Sequence, residues 1–325
     1  MKNSFNNKGF SLIELLGVVV ILGILLSMGI AAYSRYRRQA AEDSYNIMSE
    51  NAASAAEDYF MDNINEEGVT IEKLVQEEYL EKTVDPMFKD EVCTGTVNKF
   101  NIQNTNGNAI ESNTYKVVIN CKKHSSCNIY PKSLECDPKD GIKTDGEKTA
   151  FSMGLRNFDF GSEMSLAIRV KFNSFPNDSL AYFGNWENAG GGLGLTADKH
   201  NFYFNQYSKS ANNYYAATSN VEAKLNKWYV VVGVVNNNTL KLYVNGSEEA
   251  STTFPTGGIK VSPLEVLIGG NPTSSGTIAE AVPITSTNAL IFNRALTPQE
   301  ISNYFSTPNE PINYTASDAL VNKIF

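Results

Sequence analysis

The sequence predicts a two-part chain: an α+β module led by one long helix, followed by an all-β sandwich. Three observations predict it. An apolar run from Phe10 to Ala32 continues into an Ala-, Glu-, Ser- and Met-rich stretch that reaches about Asn63. Residues 92–121 then read as short strands, and the four cysteines crowd into the region around them. Beyond residue 148 the pattern becomes short alternating or apolar runs broken by Asn, Gly, Pro and Ser, which is strand-and-turn composition. A chain of 325 residues has room for two domains beyond the helix.

The N-terminal run is close to the roughly 20 residues that a helix needs to span a bilayer. Its one ionisable exception is Glu14. A carboxylate in such a run is costly, and an intramembrane charge marks a functional site by default. No small-residue cleavage site of the A-x-A kind follows the run, so an ordinary signal peptide is disfavoured. Lys8-Gly9 followed by Phe10-Ser11-Leu12-Ile13-Glu14-Leu15-Leu16 resembles the start of a type IV prepilin, or of the similar pseudopilins of type II secretion systems. The resemblance covers about residues 1–60. It implies a leader (1–9) that a prepilin peptidase removes between Gly9 and Phe10, methylation of the new terminus, and pairing of Glu14 with a neighbouring subunit's terminal amine. A buried charge needs such a partner. Many pilins carry proline where Ala31 stands, so this helix is expected to run straighter, although Gly17, Gly23 and Gly29 weaken it locally. The basic residues Lys2, Lys8, Arg35, Arg37 and Arg38 flank the run on both sides and leave its orientation open. The resemblance sets it: N-terminus cytoplasmic, the rest outside, with a single-pass precursor in the cytoplasmic membrane and the mature subunit in a cell-surface pilus.

The helix is read as residues 10–61, with 10–32 in the membrane and later in the filament core. Tyr36, Ala40, Ile47, Ala55, Tyr59 and Phe60 recur at three- and four-residue steps, so its distal half is amphipathic and needs a packing partner. A short helix follows at Thr70–Glu78 with Thr70 as its cap, and Pro86 prevents any continuation. Strands over 92–121, with an Asn106-Gly107 turn, complete a module at 62–143 that resembles a pilin head.

Cys93, Cys121, Cys127 and Cys136 are an even set in one short region, which in an exported protein reads as two disulfides. Three connectivities are possible. Cys93–Cys121 with Cys127–Cys136 is favoured, because Cys93 follows a turn-rich segment and Cys121 ends a strand. The competing reading is a zinc site at Cys121, His124, Cys127 and Cys136, whose spacing is ligand-like. It would leave Cys93 an odd thiol.

The charged, turn-rich stretch 137–148 reads as a boundary. After it, Ser165–Phe172 alternates, Trp228–Val235 is apolar throughout as in a strand buried on both faces, and Leu240–Asn245 ends at an Asn245-Gly246 hairpin turn. Val266–Gly269 and Ala289–Phe292 are further strands, and Thr297-Pro298 opens a short helix. Phe160-Gly161-Ser162, Asn226-Lys227-Trp228-Tyr229, Leu240 to Gly246, Leu267 to Gly270 and Phe292 to Thr297 occur in the order of a laminin G-like, concanavalin A-like jelly roll. Residues 144–306 therefore resemble that fold, with a tail at 307–325. The family's usual Asp-Glu pair is replaced by Ala279-Glu280, followed by an inserted-looking Ala281–Asn288, so a calcium site is not carried over.

The net charge of −8 argues against nucleic acid as the main partner. Catalysis is not expected. Glu163, Glu187, Glu222 and Glu265 stand alone, Glu248 and Glu249 would point to opposite faces of a strand, and two histidines (His124 and His200) give little support to a triad or a three-histidine metal site. Gly190-Gly191-Gly192 and Gly194 lack the Lys-Ser/Thr of a phosphate loop and read as a flexible turn. No cofactor is expected. Binding is better supported: Trp186, Tyr203, Tyr207, Tyr214 and Tyr215 are interleaved with amides in a mixture suited to glycan or protein recognition. The same spacing also allows Phe202 and Phe204 to point into the core and the tyrosines to be ordinary strand surface. The resemblances imply a pilus subunit, minor or tip-proximal, that meets other pilin subunits in a helical filament, the assembly machinery and an adhesion ligand. The alternative is a pseudopilin of a secretion or DNA-uptake system whose added domain binds secreted cargo.

Overall fold

The computed structural model describes residues 12–88, 90–104, 110–122, 124–130, 136–137, 141–144, 146, 149–176, 180–314 and 318–324. The side chains at 14, 22–32, 34, 100–113, 137, 149 and 323–324 are outside the described set. Gly9, Phe10 and the Asn106-Gly107 turn lie outside the described residues.

Helix α1 runs unbroken for 51 residues, Leu12–Asp62. The stretch from Tyr33 onward contains no Gly or Pro to stop it. Among the described residues no helix is long and apolar enough to cross a membrane. Leu12, Ile13, Leu15, Leu16, Val18, Val19, Val20 and Ile21 are exposed within the chain. The distal half does find a partner, although Tyr36, Ala40 and Ile47, expected on its packing stripe, are exposed. Ala52, Ala53, Ala55, Ala56, Tyr59 and Phe60 are buried against Val69, Ile71, Leu74, Val97, Tyr115, Val117 and Ile119. The alanines bring the helix close to the sheet, and the rings of Tyr59 and Phe60 fill the space beyond them.

After α1 come β1 (Gly68–Thr70) and α2 (Ile71–Gln76). The Thr70 side chain caps α2 by accepting from Lys73 N. Then follow β2 (Thr94–Asn104), β3 (Ile110–Asn120) and β4 (Ser125–Tyr130), an antiparallel meander. Thr94 pairs with Asn120, so Cys93 and Cys121 flank the open end of the β2–β3 hairpin, and their Cα atoms are 4.4 Å apart. The two disulfides are Cys93–Cys121 and Cys127–Cys136. All four sulfurs are thereby used, which overturns the alternative zinc set: the thiolates that it needs do not exist here. His124 instead stacks on Tyr45 of α1 at 3.8 Å.

The stretch read as a boundary carries β5 (Cys136–Asp137) and β6 (Gly141–Lys143), followed by β7 (Thr149–Ser152). These strands join the two modules. On one side β7 pairs with β2, Gln103 opposite Ala150. The second disulfide ties β4 to β5.

The jelly roll is built from β8 (Glu163–Phe172), β9 (Leu180–Gly184), β10 (Gly191–Leu195), β11 (Asn201–Ser208), β12 (Asn213–Glu222), β13 (Trp228–Asn236), β14 (Thr239–Val244), β15 (Ser247–Thr253), β16 (Leu267–Ile268), β17 (Asn271–Pro272), β18 (Ile278–Ala279) and β19 (Ile284–Phe292). Helix α3 (Pro298–Tyr304) and β20 (Val321–Ile324) end the chain. Among the described residues one sheet has the order β12-β11-β10-β9-β16-β7-β2-β3-β4, with β1 beside β2. It runs without interruption from the sandwich into the head. The second has the order β15-β14-β13-β8-β19-β6-β5, with β20 beside β19. Between the sandwich faces lies one apolar core that includes Phe151, Phe172, Phe183, Phe202, Phe204 and Tyr229.

The outer face of the second sheet is also covered. Val230, Val232, Val234, Leu290 and Phe292 pack beneath Leu296, Ile301, Phe305, Ile312 and Tyr314 of α3 and the tail. Burial on both faces explains the unbroken apolar sequence of β13. The tail is thus structural cover. Trp228, at the start of β13, departs from the expected core position: it is half-buried, with the Arg169 guanidinium 3.6 Å above its ring. The inserted-looking 281–288 stretch contributes the first half of the central strand β19. Asn245 (φ 51°) and Gly246 (φ 84°) form the hairpin turn expected between β14 and β15. Thr297 and Glu300 form a full capping box on α3.

Candidate functional site

Strand alternation divides the aromatic candidates between two faces. On β11, Phe202 and Phe204 are buried in the core, while Tyr203, Asn205 and Tyr207 face outward. On β10, Leu193 and Leu195 point inward, so Gly192 and Gly194 line the outer face. Gly192 lies opposite Gly184 of β9. The glycines read as a flexible turn are therefore a bare strip on a strand. The period-two alternation Gly192-Leu193-Gly194-Leu195 was the sequence signal for it.

That strip is roofed by the chain's own rings. A Cβ at Gly184 or at Gly192 would lie 2.4 Å from the Trp186 ring, and one at Gly194 would lie 2.3 Å from the Tyr203 ring. Trp186 is held from three sides. Its Nε1 donates to Glu280 Oε2 at 3.0 Å, its backbone N donates to Asn271 Oδ1 at 2.9 Å, and its carbonyl accepts from Asn271 Nδ2 at 2.7 Å. Burial pushes the Glu280 carboxyl upward, and the Trp186 bond acts against that shift. Asn271 was not singled out from the sequence, and Glu280 was met there only in the Ala279-Glu280 pair, because their contacts with Trp186 span 85 or more positions.

Trp186 and Tyr203 meet edge to face at 6.4 Å, and Tyr207 and Tyr214 at 4.7 Å. Four of the five aromatic candidates thus share one outer face. Two corrections follow. Trp186 is only 8% exposed and Tyr207 only 7%, so both are packing residues whose rings fill a surface that glycine leaves empty. Tyr215 points the other way, into the core, against Phe254. Tyr203 and Tyr214 remain half-exposed. The Tyr214 hydroxyl donates to Ala189 O at 3.1 Å, and burial raises its pKa to about 12, so it stays a neutral phenol. With the outward Ala216, Thr218 and Asn220 of β12, the patch offers phenol faces and neutral hydrogen-bonding groups, which suits the apolar face and hydroxyls of a sugar ring.

Five acids of the domain are separately committed. Glu163 accepts from Asn237, Glu187 from Ser274, Glu222 pairs with Lys224, Glu248 with Lys241, and Glu265 accepts from Ser152. For the N-terminal site, position 14 lies within α1, while its side chain and both residues of the expected cleavage bond lie outside the described residues.

Residues 145–302 match the family described as the concanavalin A-like lectin/glucanases superfamily, and residues 4–30 match the prokaryotic N-terminal methylation motif. The chain carries both. It is similar to a fimbrial protein of Neisseria meningitidis serogroup A / serotype 4A, with 29% identity over 103 residues, covering 30% of this chain and 59% of that protein. The chain thus spans less than two thirds of that relative's length. In solved structures it is similar to a Trypanosoma rangeli sialidase complex (TM-score 0.40, 19% identity, 62% of this chain and 31% of that one). It is also similar to the binding domain of Paraclostridial mosquitocidal protein 1 (TM-score 0.41, 12% identity, 63% and 46%). Nothing about function follows from likenesses this distant.

Proposed function

We propose that the chain is a type IV pilus subunit, minor or tip-proximal, that displays a lectin-like domain for adhesion to a glycan or protein. In this reading a prepilin peptidase cuts between Gly9 and Phe10. Glu14 then pairs with a neighbouring subunit's terminal amine, and the helix joins other subunits in a helical filament after passing through the cytoplasmic membrane. The ligand meets the outer sheet face at Tyr203 and Tyr214. The domain acts by binding rather than by catalysis.

One observation carries the reading. A methylation motif at residues 4–30 runs into a 51-residue helix, Leu12–Asp62, whose distal half is embedded in a head, while the described apolar side chains of its first turns are exposed within the chain. A helix that is apolar all round needs lipid or other helices about it. The shared sheet supports the display role, because β2–β7 pairing fixes the lectin-like domain to the head by backbone hydrogen bonds instead of a loose tether.

The test has two arms. Intact-mass and N-terminal analysis of the assembled protein is expected to find a chain beginning at methylated Phe10, with Gly9→Ala unprocessed and Glu14→Ala absent from filaments. A mature chain that begins elsewhere refutes the assembly reading. Glycan-array binding by the full-length chain is expected to weaken in Tyr214→Ala. Unchanged binding in both Tyr214→Ala and Tyr203→Phe moves the ligand site off this face.

A further inference from the structure

The outer sheet face holds one hydrogen-bond donor whose direction is fixed. Asn205 lies on β11 between the outward Tyr203 and Tyr207, and its partners across the strands are Gly192 of β10 and Ala216 of β12. Both partners are small, so the amide stands in a gap between larger side chains. Gly192 N donates to Asn205 Oδ1 at 3.1 Å. A backbone N–H can only donate, so the amide oxygen faces the sheet and Nδ2 faces away from it. Asn205 is half-buried, and its Nδ2 has no acceptor among the described residues and is not sealed from solvent.

A flat apolar surface adjoins it. The Tyr203 ring lies over Gly194, where an added Cβ would come within 2.3 Å of its Cζ, and it meets the Trp186 ring at 60°. Thr218 of β12 stands opposite Tyr203 and is exposed. Asn205 follows Tyr203 by two residues, about 7 Å along the strand. Ring, amide and hydroxyl are therefore within reach of one sugar. A pyranose has an apolar C–H face and a rim of hydroxyls, so it can stack on the phenol while a rim oxygen accepts from Nδ2. The borders of this surface carry opposite charges. Glu280 is held by Trp186 Nε1 at 3.0 Å, and Lys260 lies 4.6 Å from the Tyr207 ring centre with its Nζ on Asn212 Oδ1. One acid beside one cation leaves no net positive charge to offset the desolvation of a ligand carboxylate.

We propose that the ligand is a neutral hexose, stacked on Tyr203 and oriented by Asn205 Nδ2, and that acidic sugars are not taken. This rests on the adhesion reading and narrows its ligand to an uncharged sugar. Asn205 sets the choice, because its amide is the fixed donor beside the ring. No bond is made or broken.

The experiment is saturation-transfer NMR on the full-length chain in a detergent without a sugar headgroup. The probes are methyl β-glucopyranoside, methyl β-galactopyranoside and methyl α-mannopyranoside, each with its matching uronate, which replaces the hydroxymethyl by a carboxylate. Binding is expected for at least one neutral glycoside and is expected to be about fivefold weaker, or more, for its uronate. Asn205→Asp keeps an acceptor for Gly192 N and removes the donor. In that variant, affinity for the neutral glycoside is expected to fall about fivefold, the loss typical of one hydrogen bond. Its melting temperature is expected to stay near the wild type's; Asn205→Ala serves in its place if it fails to fold. No binding of any neutral glycoside, a uronate bound as well as its hexose, or equal affinity in wild type and the Asn205 variant overturns the proposal. Adhesion assays on Tyr203→Ala and Tyr214→Ala separate its failure from that of the reading beneath it. Lost adhesion without hexose binding overturns the neutral sugar alone, whereas unchanged adhesion in both variants removes the ligand from this face altogether.

Discussion

Replacing Trp186 by alanine should unfold the sandwich at a markedly lower temperature before it affects any ligand. The indole is 8% exposed and covers Gly184 and Gly192, which have no side chains to collapse into the space that it would leave. Cutting a buried Phe or Trp to Ala costs about 3–5 kcal/mol, and the cost rises where the surroundings cannot relax. The change also removes the Nε1–H donor from Glu280, whose carboxyl burial already pushes upward. At 2–4 °C per kcal/mol for a domain of this size, the melting temperature should drop by roughly 6–20 °C. Trp186→Phe keeps most of the ring and loses the hydrogen bond, so about 1 kcal/mol is expected. Calorimetry and near-ultraviolet circular dichroism on the full-length chain, disulfides intact, measure both variants. If Trp186→Ala melts within 2 °C of wild type while adhesion collapses, the ring is a ligand contact and the packing argument is wrong.

Other outcomes are expected on the same grounds. Non-reducing mass analysis should find no free thiol, and removing Cys93–Cys121 should cost about 2–4 kcal/mol of head stability; stoichiometric zinc with reactive thiols would contradict the described pairing. The Arg294 guanidinium holds the Glu300 carboxyl down at about 2. Because this lies below the unfolded value near 4.3, the stabilisation is complete above that value and is lost as pH falls through about 2. Acid melts between pH 5 and 2 should therefore show a loss on the order of 1–3 kcal/mol that Glu300→Gln lacks. Trp228→Ala should cost less than Trp186→Ala despite its apolar strand, because its ring is half-buried beneath Arg169; equal melting shifts would refute that ranking.

Most of the fold was legible because its signals are local. The Thr70 and Thr297 caps, the Asn245-Gly246 turn and the both-faces-buried β13 follow from residues within one turn or one strand of each other. The Cys93–Cys121 bridge was legible for the same reason, since it closes a hairpin between successive strands. The candidate site was only half legible. Alternation placed Phe202 and Phe204 inward, but it could not show that Tyr215 also points to the core from the next strand, nor that Trp186 would lie over glycines of other strands.

The sequence by itself determined the helix caps, the hairpin turn, the both-faces-apolar strand β13 and the methylation motif at the N-terminus, because periodicity, turn chemistry and short motifs are properties of neighbouring residues. The tertiary structure decided which aromatics are surface. Exposure depends on what long-range pairing brings over a residue: Glu280 and Asn271 on Trp186, Asn212 and Lys260 about Tyr207, and the tail on the outer face of the second sheet. It also decided that the two modules share one sheet. The β2–β7 ladder joins residues some fifty positions apart, and no local pattern records which strand edge a distant strand will find.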